Sequence, residues 1–162
     1  MDINVFDWIA AHANQTPDKV AVADLYSGRT FTYQQMNIRI GRLTDYLDRV
    51  HGVGKGDRVT VLSYNSPEML DMQFACTRLG AIFVPLNFRL TVSELQYIVA
   101  DCDAKVMFAD AELATTAKQV ASLCGMGEPI ITRSDGTDSP FERGMAAATP
   151  RLSSIELSLD DP

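Results

Sequence analysis

The spacing of apolar positions changes repeatedly between residues 57 and 102, and these changes predict a strand, a helix, a second strand and a second helix. The apolar runs at 58–62 and 81–86 are short and contain β-branched residues, as expected for strands that are buried on both faces of a sheet. Two strands that are joined by a helix lie parallel to each other. This segment therefore predicts the centre of a parallel α/β sheet.

The ends of the two helices carry local signals. Ser66 places a capping residue before Pro67 at the first helical position, and Gly80 can take the left-handed backbone conformation that ends a helix. Thr91 and Glu94 have the spacing of a capping box, in which each side chain bonds the backbone of the other residue. The sequence therefore predicts where both helices begin.

An amphipathic helix, a β-hairpin and a long helix are predicted before this segment. Asn4 is a candidate cap for the first helix, and Thr32 with Gln35 predicts a capping box for the long one. The predicted bounds are about Val5 to Asn14 for the first helix, 19–24 and 29–32 for the hairpin strands, and 32–51 for the long helix.

Shorter elements are predicted after residue 102. They are a third buried strand at 105–108, a helix from residue 110 or 111 to about 123, an edge strand at 129–132, and a short helix at 140–148 with a Ser139 cap. The predicted fold is α/β, with an open, mostly parallel sheet, helices on both faces, an N-terminal helix and a β-hairpin. We expect residues 1–132 to form one α/β subdomain and residues 133–162 to form a loop, a short helix and an irregular tail.

Length and composition indicate an ordinary soluble globular domain. The 162 residues are enough for one core, and 46% of them are hydrophobic and 22% charged. The net charge of −7 is dispersed along the chain, which argues against a nucleic-acid partner. No apolar run approaches the roughly 20 residues of a membrane helix, and the first residues lack the pattern of a signal segment.

Cysteines and histidines do not form a metal-binding pattern. Cys76, Cys102 and Cys124 are widely spaced, and we expect buried free thiols in a reducing cytoplasm. His12 and His51 lie in or at the ends of predicted helices without a second ligand nearby in the sequence. The sequence therefore predicts no metal site.

The glycines at positions 52, 54 and 56 superficially resemble a phosphate-binding loop. Such a loop follows a strand and opens a helix, so that backbone N–H groups face the anion. This glycine loop follows a helix and enters a strand, and Lys55 is not followed by Ser or Thr. We interpret it as a turn.

The polar residues with the best position for ligand binding follow the predicted parallel strands. Asn65 comes after the first of these strands, at the edge where open α/β sheets bind ligands, although an Asn before a helix is also typical of a turn or cap. Asn87 and Arg89 follow the next strand, and they are also consistent with a loop that positions the next helix. The serines in this region are interpreted as strand or cap residues rather than nucleophiles; they are Ser63, Ser66 and Ser93. The residues alone therefore assign no catalytic, cofactor-binding or metal-binding side chain.

Several segments resemble the opening of the adenylate-forming enzymes, which include acyl-CoA synthetases, luciferases and the adenylation domains of peptide synthetases. The order and spacing of these segments over nearly the whole chain make the resemblance specific. The matching segments are Phe31–Met36, Gly54–Val59, Arg78–Asn87, Arg89–Thr91 and Glu94–Leu95. The run Pro85-Leu86-Asn87-Phe88-Arg89-Leu90 is more similar to acyl- or aryl-CoA ligases than to amino-acid adenylation domains.

The resemblance implies a two-step reaction that uses ATP, magnesium and coenzyme A. In this family a carboxylate attacks ATP to give an acyl-adenylate and pyrophosphate, and coenzyme A then displaces AMP to give a thioester. The phosphate loop of the family normally follows an Asp-Pro such as Asp161-Pro162, so we expect the chain to lead toward catalytic motifs that it does not contain. It is thus identified as the N-terminal subdomain of a cytoplasmic acid–CoA ligase, inactive alone and with no cofactor of its own. Its expected partners are the remainder of the parent enzyme and, in the parent, a small carboxylic acid.

Two further interpretations are weighed against this one. A stand-alone α/β binding or interaction module is consistent with a chain that can build its own core, and an exposed apolar surface would favour self-association into a homo-oligomer. A nucleotide-binding protein of flavodoxin type is disfavoured because no anion-binding loop follows the first strand of the sheet.

Overall fold

The structure is a computed structural model that describes residues 7–133 and 138–151. Its helices are α1 Trp8–Gln15, α2 Tyr33–His51, α3 Pro67–Leu79, α4 Val92–Asp101, α5 Ala114–Leu123 and α6 Pro140–Ala146. Its strands are β1 Val20–Ala23, β2 Thr30–Thr32, β3 Arg58–Leu62, β4 Ile82–Leu86, β5 Val106–Ala109 and β6 Ile130–Ile131. A short 3-10 turn, Ala111–Leu113, leads into α5.

The main sheet has the strand order β4-β3-β5-β6, and every neighbouring pair is parallel. Val59 in β3 pairs with Phe83 in β4 on one side and with Val106 in β5 on the other. Strands β1 and β2 form a separate antiparallel hairpin. The predicted parallel sheet, the hairpin and the edge position of β6 after Pro129 are confirmed.

Helices cover both faces of the main sheet, as predicted. Side chains from α2, α3 and α6 pack with Val59, Val61 and Phe108 in one core cluster. Side chains from α4 and α5 pack with Leu62 and Met107 in a second cluster on the other face. Successive strand residues point to opposite faces, so alternate positions of β3 and β5 enter opposite clusters. Burial of apolar area in these two layers is the main force that holds the fold together.

The capping boxes predicted at Thr32 and Thr91 are both present. In each, the hydroxyl accepts a hydrogen bond from the backbone N–H three residues later, and that residue's side chain bonds back to the threonine backbone. Gly52 and Gly80 end α2 and α3 in the left-handed conformation. Ser66 occupies the N-cap position of α3, but its hydroxyl makes no capping bond, so this part of the prediction is wrong.

The first helix does not begin where the sequence predicts. It begins at Trp8, and Asp7 is its cap because Oδ1 of Asp7 accepts a hydrogen bond of 3.0 Å from the N–H of Ala10. The other oxygen of Asp7 accepts from Arg78 Nε at 2.7 Å, so one carboxylate both caps α1 and ties it to α3. Asn4 and Val5 lie outside the described residues. The helix predicted from residue 110 or 111 likewise begins as a 3-10 turn, and its α-helical part starts at Ala114.

The short helix predicted near residue 140 is present as α6 and belongs to the core. Ser139 caps it as predicted, and Phe141 and Met145 are buried against α2 and the sheet. Gly144 faces the ring of Tyr46 so closely that an added Cβ would lie 2.4 Å from Tyr46 Cζ. The division of the chain at residue 132 stays a prediction, although α6 packs together with the elements before it.

The three cysteines are free, as predicted, but they are not equally buried. Cys76 is fully enclosed, and burial raises the pKa of its thiol to about 12. Cys102 and Cys124 are partly exposed, so the prediction of burial is wrong for these two. They lie at the ends of α4 and α5, where the helices leave the core.

Candidate functional site at the carboxyl edge of the sheet

The carboxyl ends of β3, β5 and β6 are tied together by one buried carboxylate, that of Asp110. Its Oδ2 accepts hydrogen bonds from Ser63 Oγ and from the backbone N–H of Tyr64, both at 2.9 Å. Arg133 Nη2 lies 3.4 Å from the same oxygen, and Thr132 Oγ1 lies 3.3 Å from Oδ1. Asp110 is only 1% exposed. Residues that follow three different strands therefore converge on a single side chain.

The hydrogen bonds of Asp110 decide what it can do. An ionised carboxylate is an acceptor only, and both oxygens of Asp110 already have donors. Such a group is suited to hold the loop after β3 in one conformation rather than to take a proton from a substrate. We call Ser63, Tyr64, Asp110, Thr132 and Arg133 the edge cluster.

The loops after β3 and β4 meet through aromatic rings. The ring centroids of Tyr64 and Phe88 are 4.6 Å apart with an angle of 60° between their planes, and the guanidinium of Arg89 lies 5.6 Å from the Phe88 ring centre. Asn87 Oδ1 accepts a hydrogen bond from the backbone N–H of Arg89 at 3.0 Å. Asn87 therefore shapes the loop before α4, which is the second of the two interpretations that the sequence leaves open.

A groove of about 440 Å³ lies beside the edge cluster, between the turn of the β1–β2 hairpin and the start of α3. Its lining residues are Val22, Ala23, Asp24, Leu25, Tyr26, Asn65, Ser66, Pro67, Met69 and Leu70. Arg133 lies 5.2 Å from the ring centre of Tyr26 and so connects the groove to the edge cluster. Asn65 is exposed in this groove, at the sheet edge where the sequence places it. Its role as a ligand-binding residue stays a prediction.

The glycine loop lies at the opposite, amino edge of the sheet and is a turn, as predicted. The N–H of Gly54 donates to Asp57 Oδ2 at 2.8 Å, and Lys105 Nζ donates to the same oxygen at 2.7 Å and to the carbonyl of Gly52 at 2.6 Å. Partial burial opposes the charge of Asp57, but the hydrogen bonds from Lys105 and Gly54 lower its pKa. Lys105 therefore closes the turn, and the N–H of Gly54 is already bonded within it.

The serines and histidines named from the sequence do not meet in a catalytic arrangement. Ser63 belongs to the edge cluster, whereas Ser93 is exposed at the start of α4. His12 packs beside Tyr33 at 4.7 Å between ring centres. His51 packs edge-on against Tyr46 at 4.8 Å, and burial lowers its pKa. Among residues 7–133 and 138–151, no group of three or more His, Cys, Asp or Glu residues could hold a metal ion.

Sequence reasoning misses four members of the edge cluster. The sequence predicts Asp110 only as a helix start, and it predicts no role for Tyr64, Thr132 or Arg133. The position of Asp110 in the sequence could have indicated its role. Asp110 directly follows a buried strand, and the carboxyl ends of parallel strands meet at one edge of the sheet. The positional argument that places Asn65 at this edge applies equally to Asp110.

The comparisons with known proteins define the class of this chain. The family model described as AMP-binding enzyme matches residues 9–157, so the chain belongs to the AMP-binding enzyme family. The resemblance to adenylate-forming enzymes is thereby confirmed. The described residues contain no helix that is long and apolar enough to cross a membrane.

Curated relatives are acid–CoA ligases. Feruloyl-CoA synthase of Amycolatopsis sp is 41% identical over 115 residues, which is 71% of this chain and 23% of that protein. Long-chain-fatty-acid–CoA ligase FadD13 of Mycobacterium tuberculosis is 31% identical over 160 residues, which is 98% of this chain and 31% of that protein. The chain thus spans about a quarter to a third of the length of these relatives.

Solved structures agree with the fold. The inhibitor-bound N-terminal domain of FACL13 from Mycobacterium tuberculosis superposes with a TM-score of 0.81 at 29% identity, covering 99% of this chain and 39% of that one. The anthranilate CoA ligase AuaEII in complex with anthranoyl-AMP superposes with a TM-score of 0.86 at 23% identity, covering 99% and 30%. At 23% identity, the AuaEII structure shows only that the fold is shared.

Proposed function

We propose that this chain is the N-terminal part of an ATP-dependent carboxylic acid–CoA ligase. The observation that carries the proposal is the AMP-binding family match over residues 9–157, together with CoA ligases as relatives over as much as 99% of the chain. In the parent enzyme, the substrate carboxylate attacks ATP to form an acyl-adenylate and release pyrophosphate. The thiol of coenzyme A then displaces AMP and leaves an acyl-CoA thioester.

The described residues provide framework for this reaction rather than its catalytic groups. ATP, magnesium and coenzyme A belong to the parent enzyme, and the described residues do not form a cluster that fits a magnesium ion. We propose that the chain supplies the sheet edge at which Asp110 hydrogen-bonds to the segments that follow β3 and β6. We propose that the 162-residue chain alone has no ligase activity.

The substrate is proposed to be an aromatic or a fatty acid. The names of relatives include indoleacetate–CoA ligase and 3-hydroxybenzoate–CoA/4-hydroxybenzoate–CoA ligase, besides the feruloyl and long-chain enzymes. Feruloyl-CoA synthase and indoleacetate–CoA ligase are each 41% identical to this chain, against 31% for FadD13, although the two alignments are shorter. The aromatic acids are therefore the first substrates to test.

The decisive experiment uses the parent gene and the 162-residue chain side by side. The full-length product is incubated with ATP, magnesium, coenzyme A and a panel of cinnamic, benzoic, indolic and fatty acids, and acyl-CoA is detected by mass spectrometry. We expect acyl-CoA from the parent and no pyrophosphate from the chain alone. Turnover by the chain alone would contradict the proposal that it is framework.

Two additions to this experiment, amino acids in the substrate panel and equilibrium dialysis of the chain alone, separate the alternatives. An amino-acid adenylation domain would release pyrophosphate with an amino acid and form no acyl-CoA. A stand-alone binding module would be monomeric and would bind a nucleotide without the rest of the enzyme. Equilibrium dialysis with ATP and AMP would detect this binding. Either result would overturn the assignment to a CoA ligase fragment.

We propose that the parent acts in the cytoplasm and that its remaining polypeptide covers part of this chain's surface. Free thiols at positions 76, 102 and 124 support a reducing compartment. Leu25 and Tyr26, at the tip of the hairpin beside the groove, are 96% and 81% exposed. Exposed apolar residues of this kind favour contact with another protein surface, so we expect the isolated chain to self-associate at high concentration.

A further inference from the structure

One guanidinium joins three helices on the face of the sheet that α2 covers. Arg39 of α2 donates through Nε and Nη2 to Asp71 Oδ2 of α3, at 2.9 and 2.8 Å. It also donates through Nη2 and Nη1 to the two carboxylate oxygens of Glu142 in α6, at 2.9 and 3.2 Å. The Arg39 side chain is 17% exposed, that of Glu142 is 21% exposed, and that of Asp71 is fully buried.

The neighbourhood of Arg39 contains more acids than bases. Glu68 of α3, whose side chain is 2% exposed, adds a further negative charge close to Asp71 and is paired with Arg29 at 2.7 Å. Arg29 also lies 3.5 Å from Asp24, so four carboxylates share two guanidinium groups: Asp24 and Glu68 at Arg29, and Asp71 and Glu142 at Arg39. The second oxygen of Asp71, Oδ1, and Oε2 of Glu68 are buried without a hydrogen-bond partner. A buried oxygen that lacks a donor is costly when its carboxylate is charged.

We propose that Asp71 and Glu142 compete for Arg39, so that the protonation state of Asp71 sets how tightly α6 is held on α2. With Asp71 ionised, Glu142 approaches a second buried negative charge each time α6 packs against α2. With Asp71 neutral, this repulsion is absent and Arg39 is left to pair with Glu142. Since α6 contributes Phe141 and Met145 to the core, a change in its attachment alters the packing of these two side chains.

The electrostatic interaction between Asp71 and Glu142 has the sign that this proposal requires. Burial has the largest influence on Asp71, and the pKa of Asp71 is raised to about 6. Arg39 lowers this pKa, whereas Glu68 and Glu142 raise it by smaller amounts than burial does. Because the charge of Glu142 raises the pKa of Asp71, linkage requires that protonation of Asp71 favour the packed position of Glu142. The attachment of α6 should therefore weaken as the pH rises through about 6.

Hydrogen exchange on the 162-residue chain tests this inference. Protection factors for the amides of α6 are measured at pH 5 and pH 7 and divided by those of α4, which lies on the other face of the sheet. We expect this ratio to be higher at pH 5 by roughly twofold or more, the lower end of coupling within one ion-pair network. Equal ratios at the two pH values, or a lower ratio at pH 5, would overturn the proposal.

Variants separate this mechanism from a general effect of pH. Asp71→Asn carries a neutral side chain of the same shape and should show the pH 5 ratio at both pH values. Glu128→Gln removes an exposed carboxylate that pairs with Lys118 far from this network and should keep the wild-type pH dependence. An Asp71→Asn variant with wild-type pH dependence would refute the inference.

A second measurement does not depend on the stability of Asp71→Asn. The side-chain carboxyl carbon of Asp71 is followed by NMR in the wild type and in Glu142→Gln. Reciprocity requires the Asp71 titration to move to lower pH when the charge of Glu142 is removed. An unchanged titration midpoint in Glu142→Gln would show that the two carboxylates are not coupled, and the proposal would fail.

Discussion

Replacement of Asp110 by alanine should destabilise the chain more than any exposed charge substitution. The change removes the acceptor for two hydrogen bonds of 2.9 Å and two longer contacts at a site that is 1% exposed. Not every donor loses its only partner. Ser63 Oγ also lies 2.8 Å from the carbonyl of Tyr64, and Thr132 Oγ1 lies 3.3 Å from the carbonyl of Ala109. The uncompensated losses are therefore those of the Tyr64 N–H and of Arg133.

The size of the destabilisation follows from the loss of these two interactions, at the Tyr64 N–H and at Arg133. Hydrogen bonds to a charged group contribute about 1.5–3 kcal/mol, and a buried donor left without a partner costs about 1–3 kcal/mol. Arg133 is partly exposed and can turn to solvent, so its contribution is small. We expect Asp110→Ala to lower the free energy of unfolding by about 2–4 kcal/mol, out of about 5–15 kcal/mol for a typical domain.

Urea denaturation followed by circular dichroism at 222 nm measures this effect, with an unchanged m-value as the check that the unfolded state is the same. Asp110→Asn is the matched control, because an amide of the same shape keeps one acceptor toward Tyr64, and its loss should be about half as large or less. Glu128→Ala, which removes an exposed ion pair, should cost less than about 1 kcal/mol. A free energy of unfolding for Asp110→Ala within about 0.5 kcal/mol of the wild-type value, or an equal loss in Asp110→Asn, would contradict this prediction.

Three further predictions concern the interior. Gly144→Ala should lower the urea midpoint. An added Cβ 2.4 Å from Tyr46 Cζ overpacks the site at a cost of about 1–3 kcal/mol, whereas the higher helix propensity of alanine stabilises the helix by only about 1 kcal/mol. A raised midpoint would contradict this prediction. Cys76 should react with Ellman's reagent only after unfolding, since it is buried with a pKa of about 12, and Cys76→Ser should leave the number of fast-reacting thiols unchanged. Burial opposes the charge of Glu68, but the hydrogen bond and charge of Arg29 outweigh burial and lower the pKa of Glu68. The stabilisation of the fold by ionised Glu68 is therefore complete above pH 4.5 and is lost as the pH falls. Glu68→Gln should therefore be less stable than the wild type by about 1–3 kcal/mol at pH 7 and approach it in acid; a difference that grows below pH 4.5 would refute this sign.

Features encoded by neighbouring residues could be predicted from the sequence. The capping boxes at Thr32 and Thr91 involve residues three apart, and both form as predicted. Gly52 and Gly80 end helices through their own backbone freedom. The parallel sheet was likewise predictable, because two short apolar strands joined by a helix have few other ways to bury their side chains.

Features that depend on distant partners could not be predicted in the same way. Asp7 begins α1 at a different residue than expected because Arg78, far along the chain, holds its second oxygen. The role of Asp110 depends on Ser63 and Thr132, which only the folded sheet brings together. Ser66 illustrates the opposite error, since a residue with the right type and position makes no capping bond.

The central position of β3 has a consequence for how the chain folds. Val59 pairs with Phe83, which is close in sequence, and with Val106, which is more distant. Closing a longer loop costs more chain entropy, so β4 should join β3 before β5 adds on the other side. The two-residue strand β6, which bonds only to β5 in the sheet, can add only after β5 is in place. We therefore expect the part of the sheet that completes the edge cluster to assemble last during refolding and to open first under mild denaturation.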